Sequence, residues 1–177
     1  MNNYNVEING ITISEITNTE IVAVAIRREN ELKVESLFKS LLKSALPKAG
    51  QAVVIDTLRL KVLRISFDQL FLFFAPEVKK RVDTILSRMG NSIYVTEQSD
   101  NWSGLKLSGC KAELCLERIC PVDISIESFG VNSFARTIME HLGVIIMRVD
   151  ENEFELFSAS SSANSFLNSL TTSARNA

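Results

Sequence analysis

Two stretches of this 177-residue chain read alike, and that likeness constrains the fold more than any other feature. They are "RISFDQLFLFFAPEVKKRVDTILSRM" and "MRVDENEFELFSASSSANSFLNSL". Each gives a strand, an acidic turn, a second strand with apolar residues at alternate positions, and an amphipathic helix. Laid side by side, Phe71, Phe73 and Phe74 correspond to Phe154, Leu156 and Phe157. The two are either copies of one unit or two ordinary β-turn-β-α units that agree. In both cases the class is α+β with two βαββα-like halves, because sandwiches lack these helices and doubly wound sheets lack the hairpins.

Periodicity fills in the remaining elements. The β-branched run Ile21 to Arg27 predicts a buried strand, and Leu32, Leu37, Phe38, Leu41, Leu42 and Ala45 then fall at helical spacing until Pro47. Strands are expected over Ala52 to Ile65, broken by a bulge, and over Gln69 to Phe74. Pro76 suits the first position of a helix with the stripe Val78, Val82, Ile85, Leu86 and Met89, and Gly90 suits the cap beyond its end. In the second half we expect a strand at Leu105 to Leu107, a helix from about Cys110 to Ile119, and strands near Ser133–Met139, Gly143–Val149 and Glu153–Phe157. A last helix covers Ala163 to Leu170, with the serines of "SASSSANS" as its capping residues.

Charge and hydropathy exclude several functions. The net charge is −2 and the basic clusters are short, so the footprint of a nucleic-acid binder is missing. No cationic segment followed by an apolar one opens the chain, and its apolar runs are far shorter than the ~20 residues of a membrane span. The expected location is the cytoplasm, with Cys110, Cys115 and Cys120 reduced.

Those three cysteines are spaced at five. On a helix that separates neighbours by ~140°, so they cannot converge on one metal. Cys115 joins Ala112, Leu116 and Ile119 on a face meant for packing. Cys110, near a helix start, has no catalytic partner nearby. His141 is the only histidine and is expected in a hairpin, where a structural or interface role suits it better than catalysis. Gly104 and Gly109 frame a strand-turn-helix unit without phosphate-loop spacing. Asp150, Glu151, Glu153 and Glu155 read as a solvated hairpin tip, and Trp102 as either core or an interface anchor. The residues themselves therefore suggest no catalytic, cofactor or metal site.

The C-terminal half, over roughly residues 95 to 170, resembles the gamma subunit of heterotetrameric sarcosine oxidase. The resemblance rests on Gln98-Ser99, Trp102, Leu107-Ser108-Gly109, Ala112, Leu116 and Cys120-Pro121-Val122-Asp123. It continues through Ala135-Arg136-Thr137, His141-Leu142, Phe154 with Leu156, and a Ser-x-Ala helix start at Ser161 or Ser162 and Ala163. Two departures stand out: Cys110 where the family has proline, and the serine tract Ser158 to Ser162 in place of Arg-Ser-Phe-Ala.

The resemblance implies a pair of ferredoxin-like halves, about 15–92 and 93–172, forming one gamma-subunit-like domain over 1–177, similar to the folate-binding domain of aminomethyltransferases. It implies a non-catalytic subunit whose main contact is an alpha subunit, with beta and delta subunits in the same complex. FAD, FMN, NAD, tetrahydrofolate and zinc would sit on those partners, and the complex would oxidise sarcosine to glycine. The equivalent subunit of an N-methylglutamate dehydrogenase is an alternative, as is a free-standing folate-binding protein using Asp56, Asp68 or Asp123. Trp102, Arg136 and His141 are the expected contact residues.

Overall fold

The structure, a computed structural model, describes residues 4–177. In chain order its elements are β1 (Asn5–Ile8), β2 (Ile11–Ile16), β3 (Glu20–Ile26), α1 (Glu31–Leu42), β4 (Ala52–Ile55), β5 (Leu60–Arg64), β6 (Gln69–Phe74), α2 (Lys79–Met89) and β7 (Ile93–Glu97). They continue with β8 (Trp102–Ser108), α3 (Ala112–Glu117), β9 (Phe134–Met139), β10 (Leu142–Asp150), β11 (Glu153–Ala159) and α4 (Ala163–Arg175). Two compact units result: Asn18–Ser99, and residues 4–17 together with Asp100–Ala177.

In the unit Asn18–Ser99 the sheet order is β4-β5-β6-β3-β7, with antiparallel neighbours throughout. Alternate residues of each strand point to one face. Val22, Val24, Val62, Leu70 and Leu72 thus join Val34, Phe38 and Leu42 of α1 and Val82, Leu86 and Met89 of α2 in one core. The order β5-β6-β3-β7 is that of a ferredoxin-like βαββαβ unit, and β4 extends its edge.

The other unit repeats this plan with one substitution. Its sheet runs β1-β2-β8-β11-β10-β9, so β9, β10, β11 and β8 take the places of β4, β5, β6 and β3. The place of β7 is taken by β2, from the opposite end of the chain, with Ile13 opposite Leu107. Asn9 and Gly10, both at positive φ, make the two-residue β1–β2 turn, and Asn9 donates to the Ala174 and Arg175 carbonyls at the end of α4. The core gathers Ile11, Ile13, Leu105, Leu107, Phe154 and Leu156 from the strands, beside side chains of α3 and α4.

Several expectations need correction. The break within residues 52–65 is a tight 3-10 turn at Asp56–Leu58 closed by left-handed Arg59, which makes a β4–β5 hairpin and not a bulged strand. Helix α1 ends because Lys43 turns left-handed, before Ala45 and Pro47, and Leu32 is 82% exposed because the buried face is Val34, Phe38 and Leu42. Helix α3 starts only at Ala112, since Gly109 sits at φ +127 and the chain turns there, leaving Cys110 outside it. No serine side chain caps α4; Ser160–Ser162 form a 3-10 turn, and the Ser160 hydroxyl donates to the Asp100 carbonyl. Strands β1, β2 and β7 were not anticipated. Gly90 does stand at the end of α2, at φ 53.

The pairing of the two similar stretches shifts as well. Arg64 is opposite Leu70 in β5–β6, and Arg148 is opposite Phe154 in β10–β11. The equivalent of Phe154 is therefore Leu70 and not Phe71. A slip of one residue reverses the face to which a strand side chain points, and Leu70 and Phe154 both face their helices.

Candidate functional site

The three expected contact residues lie in the unit containing β8 to β11. Trp102 opens β8, half-buried, opposite Ala159 of β11. Arg136 is exposed on β9, the edge strand of its sheet, and Ile138 on the same strand face is 62% exposed. His141 is exposed in the β9–β10 turn. Glu140 and His141 both adopt positive φ between the paired Met139 and Leu142, the geometry of a two-residue hairpin turn. The structure thus brings Arg136, Ile138 and His141 to one sheet edge. Trp102 shares the face of Arg136 by register, but β10 and β11 lie between them.

The cysteines do not converge. Cys110 is exposed, whereas Cys115 and Cys120 are buried. Burial pushes the Cys115 thiol up against a smaller opposing effect of Ser173, and burial likewise pushes Cys120 up, so both favour the inert thiol. The glycines have a packing explanation. A Cβ on Gly109 would lie 2.2 Å from the Gly10 carbonyl oxygen, and one on Gly104 would lie 2.7 Å from the Phe157 ring. Close backbone approach of the β1–β2 hairpin, and not a phosphate, requires Gly109.

A feature that sequence reasoning missed is a groove of about 760 Å³ in the unit Asn18–Ser99, between the end of α1, the β4–β5 turn and α2. Leu41, Ile55, Leu58 and Ile85 line it, together with the four cations Lys43, Lys80, Arg81 and Arg88. The only signal in the sequence was the spacing of Lys80, Arg81, Thr84 and Arg88 along one face of α2.

No family model matches the chain. Among curated proteins, the sarcosine oxidase subunit gamma of Corynebacterium sp. strain U-96 is 32% identical over 112 residues, which are 63% of this chain and 54% of that protein. The chain is similar to sarcosine oxidase gamma subunits. It spans about half the length of the curated gamma subunits it matches; a second, from Corynebacterium sp. strain P-1, is 33% identical over 85 residues, 48% of this chain and 42% of that protein. Heterotetrameric sarcosine oxidase from strain U-96, solved with pyrrole 2-carboxylate, shares the fold with a TM-score of 0.81 at 21% identity, over 97% of this chain and 87% of that one. The glycine cleavage system aminomethyltransferase T of Bartonella henselae shares it with a TM-score of 0.67 at 16% identity, over 91% of this chain and 45% of that one.

Beside this likeness to gamma subunits, the acids considered for a pterin do not fit one. Asp56 and Asp123 are exposed, and half-buried Asp68 accepts a hydrogen bond from the Ser66 hydroxyl at 2.9 Å. Asp123 accepts from the Ser128 hydroxyl at 2.6 Å and from the Ser125 hydroxyl at 2.7 Å, and these bonds hold its carboxyl below the usual range. It organises the loop between α3 and β9. Among the described residues no group of three His, Cys, Asp or Glu side chains could hold a metal ion. Nor is any helix among them long and apolar enough to cross a membrane.

Proposed function

We propose that the chain is the gamma-type, non-catalytic structural subunit of a heterotetrameric sarcosine oxidase-like flavoenzyme that oxidatively demethylates sarcosine to glycine in the cytoplasm. The observation that carries this reading is the 112-residue match to a sarcosine oxidase gamma subunit. The dispersal of the reactive side chains supports it: Cys110 lies in an exposed turn, the other two thiols are buried in packing, and His141 sits in a hairpin turn. The alpha subunit is the main partner, with beta and delta subunits completing the complex, and FAD, FMN, NAD, tetrahydrofolate and zinc are held by those partners. The whole chain acts as one gamma-subunit-like domain of two pseudo-repeated halves.

The contact with alpha is assigned to Trp102, Arg136 and His141, with the edge-strand position and the exposed Ile138 in support. A tagged copy purified gently from its native host is expected to bring down a large and a medium flavoprotein subunit in fixed ratio, with flavin absorbance and sarcosine-dependent activity. Arg136→Glu should lower that recovery. A colourless eluate holding this chain alone overturns the proposal.

A further inference from the structure

The groove between α1 and α2 is charged against the balance of the chain. It collects four of the 19 Lys and Arg residues and, in Asp56, one of the 21 Asp and Glu. Among the described residues none of Lys43, Lys80, Arg81 and Arg88 forms an ion pair; Arg81 donates only to the Thr57 carbonyl, at 3.5 Å. On α2, Lys80, Thr84 and Arg88 follow one another at intervals of four, so the two cations and the hydroxyl lie along one face of the helix. Between the charges the surface is apolar, from half-buried Leu41 and Ile85 and from Ile55 and Leu58, which are buried.

Such a lining suits a particular occupant. A small-molecule site needs a few fixed polar groups in a desolvated pocket, whereas all four cations here are exposed on long side chains. Exposed charges around an apolar strip instead steer and orient a macromolecule. We propose that this groove is a docking site for an acidic segment of a partner protein, in which carboxylates meet Lys43, Lys80, Arg81 and Arg88 and interspersed apolar side chains cover Leu41, Ile55, Leu58 and Ile85. The inference stands on this unit alone and does not depend on which complex the chain joins.

The test titrates the full chain, followed by its amide chemical shifts, with a short synthetic peptide of alternating glutamate and leucine. Shifts confined to the groove are expected, with binding weakened about tenfold or more by Lys80→Glu with Arg88→Glu and by raising the ionic strength from about 0.05 M to about 0.5 M. Lys33→Glu with Lys39→Glu, which changes the net charge equally on the part of α1 outside the groove, should leave binding intact, and both double variants should keep the wild-type spectrum elsewhere. No groove shifts, or equal binding of the glutamine–leucine peptide, overturns the proposal. So does saturation of the same amides by inorganic phosphate or by anionic lipid vesicles in preference to the peptide, which would assign the groove to a small anion or to a membrane.

Discussion

Arg148 Nη2 lies 2.8 Å from Glu113 Oε2, and the arginine side chain is wholly removed from solvent while the carboxylate is 33% exposed. The same guanidinium donates to the Ile124 and Glu151 carbonyls and stacks 4.5 Å from the Phe154 ring centre. It therefore ties the β10–β11 turn to the first turn of α3 and to the loop that follows. Arg64 repeats the arrangement in the other unit: it reaches Glu31 in the first turn of α1 at 2.6 Å, the Pro47 carbonyl beyond that helix, and the Phe67 carbonyl in its own hairpin turn.

Removing either partner of the Arg148 pair should have unequal effects. Arg148→Met leaves two inward carbonyls without a donor and should cost about 3 kcal/mol. Glu113→Gln keeps a hydrogen-bond acceptor at a partly wet site and should cost about 1 kcal/mol. Urea unfolding of the full chain measures both, and equal losses would contradict this assignment.

Gly109→Ala should be among the most damaging single-methyl additions. Its Cβ would collide with the Gly10 carbonyl at a backbone angle that L residues avoid, at a cost of about 3 kcal/mol or more. Gly104→Ala meets an aromatic ring that can shift slightly, so about 1–3 kcal/mol is expected. Gly143→Ala, with open space around it, serves as the control in the same thermal melts.

Acid sensitivity should trace partly to Lys79, which binds Glu97 at 2.8 Å and Glu20 at 2.9 Å. Burial pushes the Glu97 carboxyl up, but the hydrogen bonds from Lys79 and Ser99 outweigh it and hold the group below its usual 4.5. A depressed folded-state value stabilises the protein above the unfolded-state value, and that contribution is lost as the pH falls from about 4.5 through the folded-state value. Lys79→Met should make the unfolding free energy less steep in pH across that window. An unchanged slope would remove Glu97 from the explanation.

Thiol titration should separate the cysteines. One thiol, Cys110, is expected to react rapidly in the native chain and all three after denaturation. Cys110→Ser should abolish the fast phase and leave the melting temperature unchanged.

Elements whose partners are near in sequence were legible. The β9–β10–β11–α4 succession follows from alternation and helical period within one stretch, and the stripe of α2 fell where expected. What failed were features set by distant or tertiary partners. Strand β2 finds β8 far along the chain, although Asn9-Gly10 between "VEI" and "ITI" is a strong hairpin signal that could have revealed it. Strand β7 is exposed at four of its five positions and lacks the apolar alternation that marks a strand. Composition could not show that Gly109 turns the chain, and so could not place the start of α3. The groove draws on three separate segments, so no window of sequence displays it.

Strand β2 has a consequence for how the molecule is made. Its pairing edge leaves the ribosome with the whole of Asn18–Ser99 still to be synthesised before β8 exists to cover it. During that interval the five strands of the intervening unit have all their sheet partners within it, while the hairpin Asn5–Ile16 waits with open backbone groups. Nascent chains stalled before residue 102 should therefore be the ones that chaperones hold.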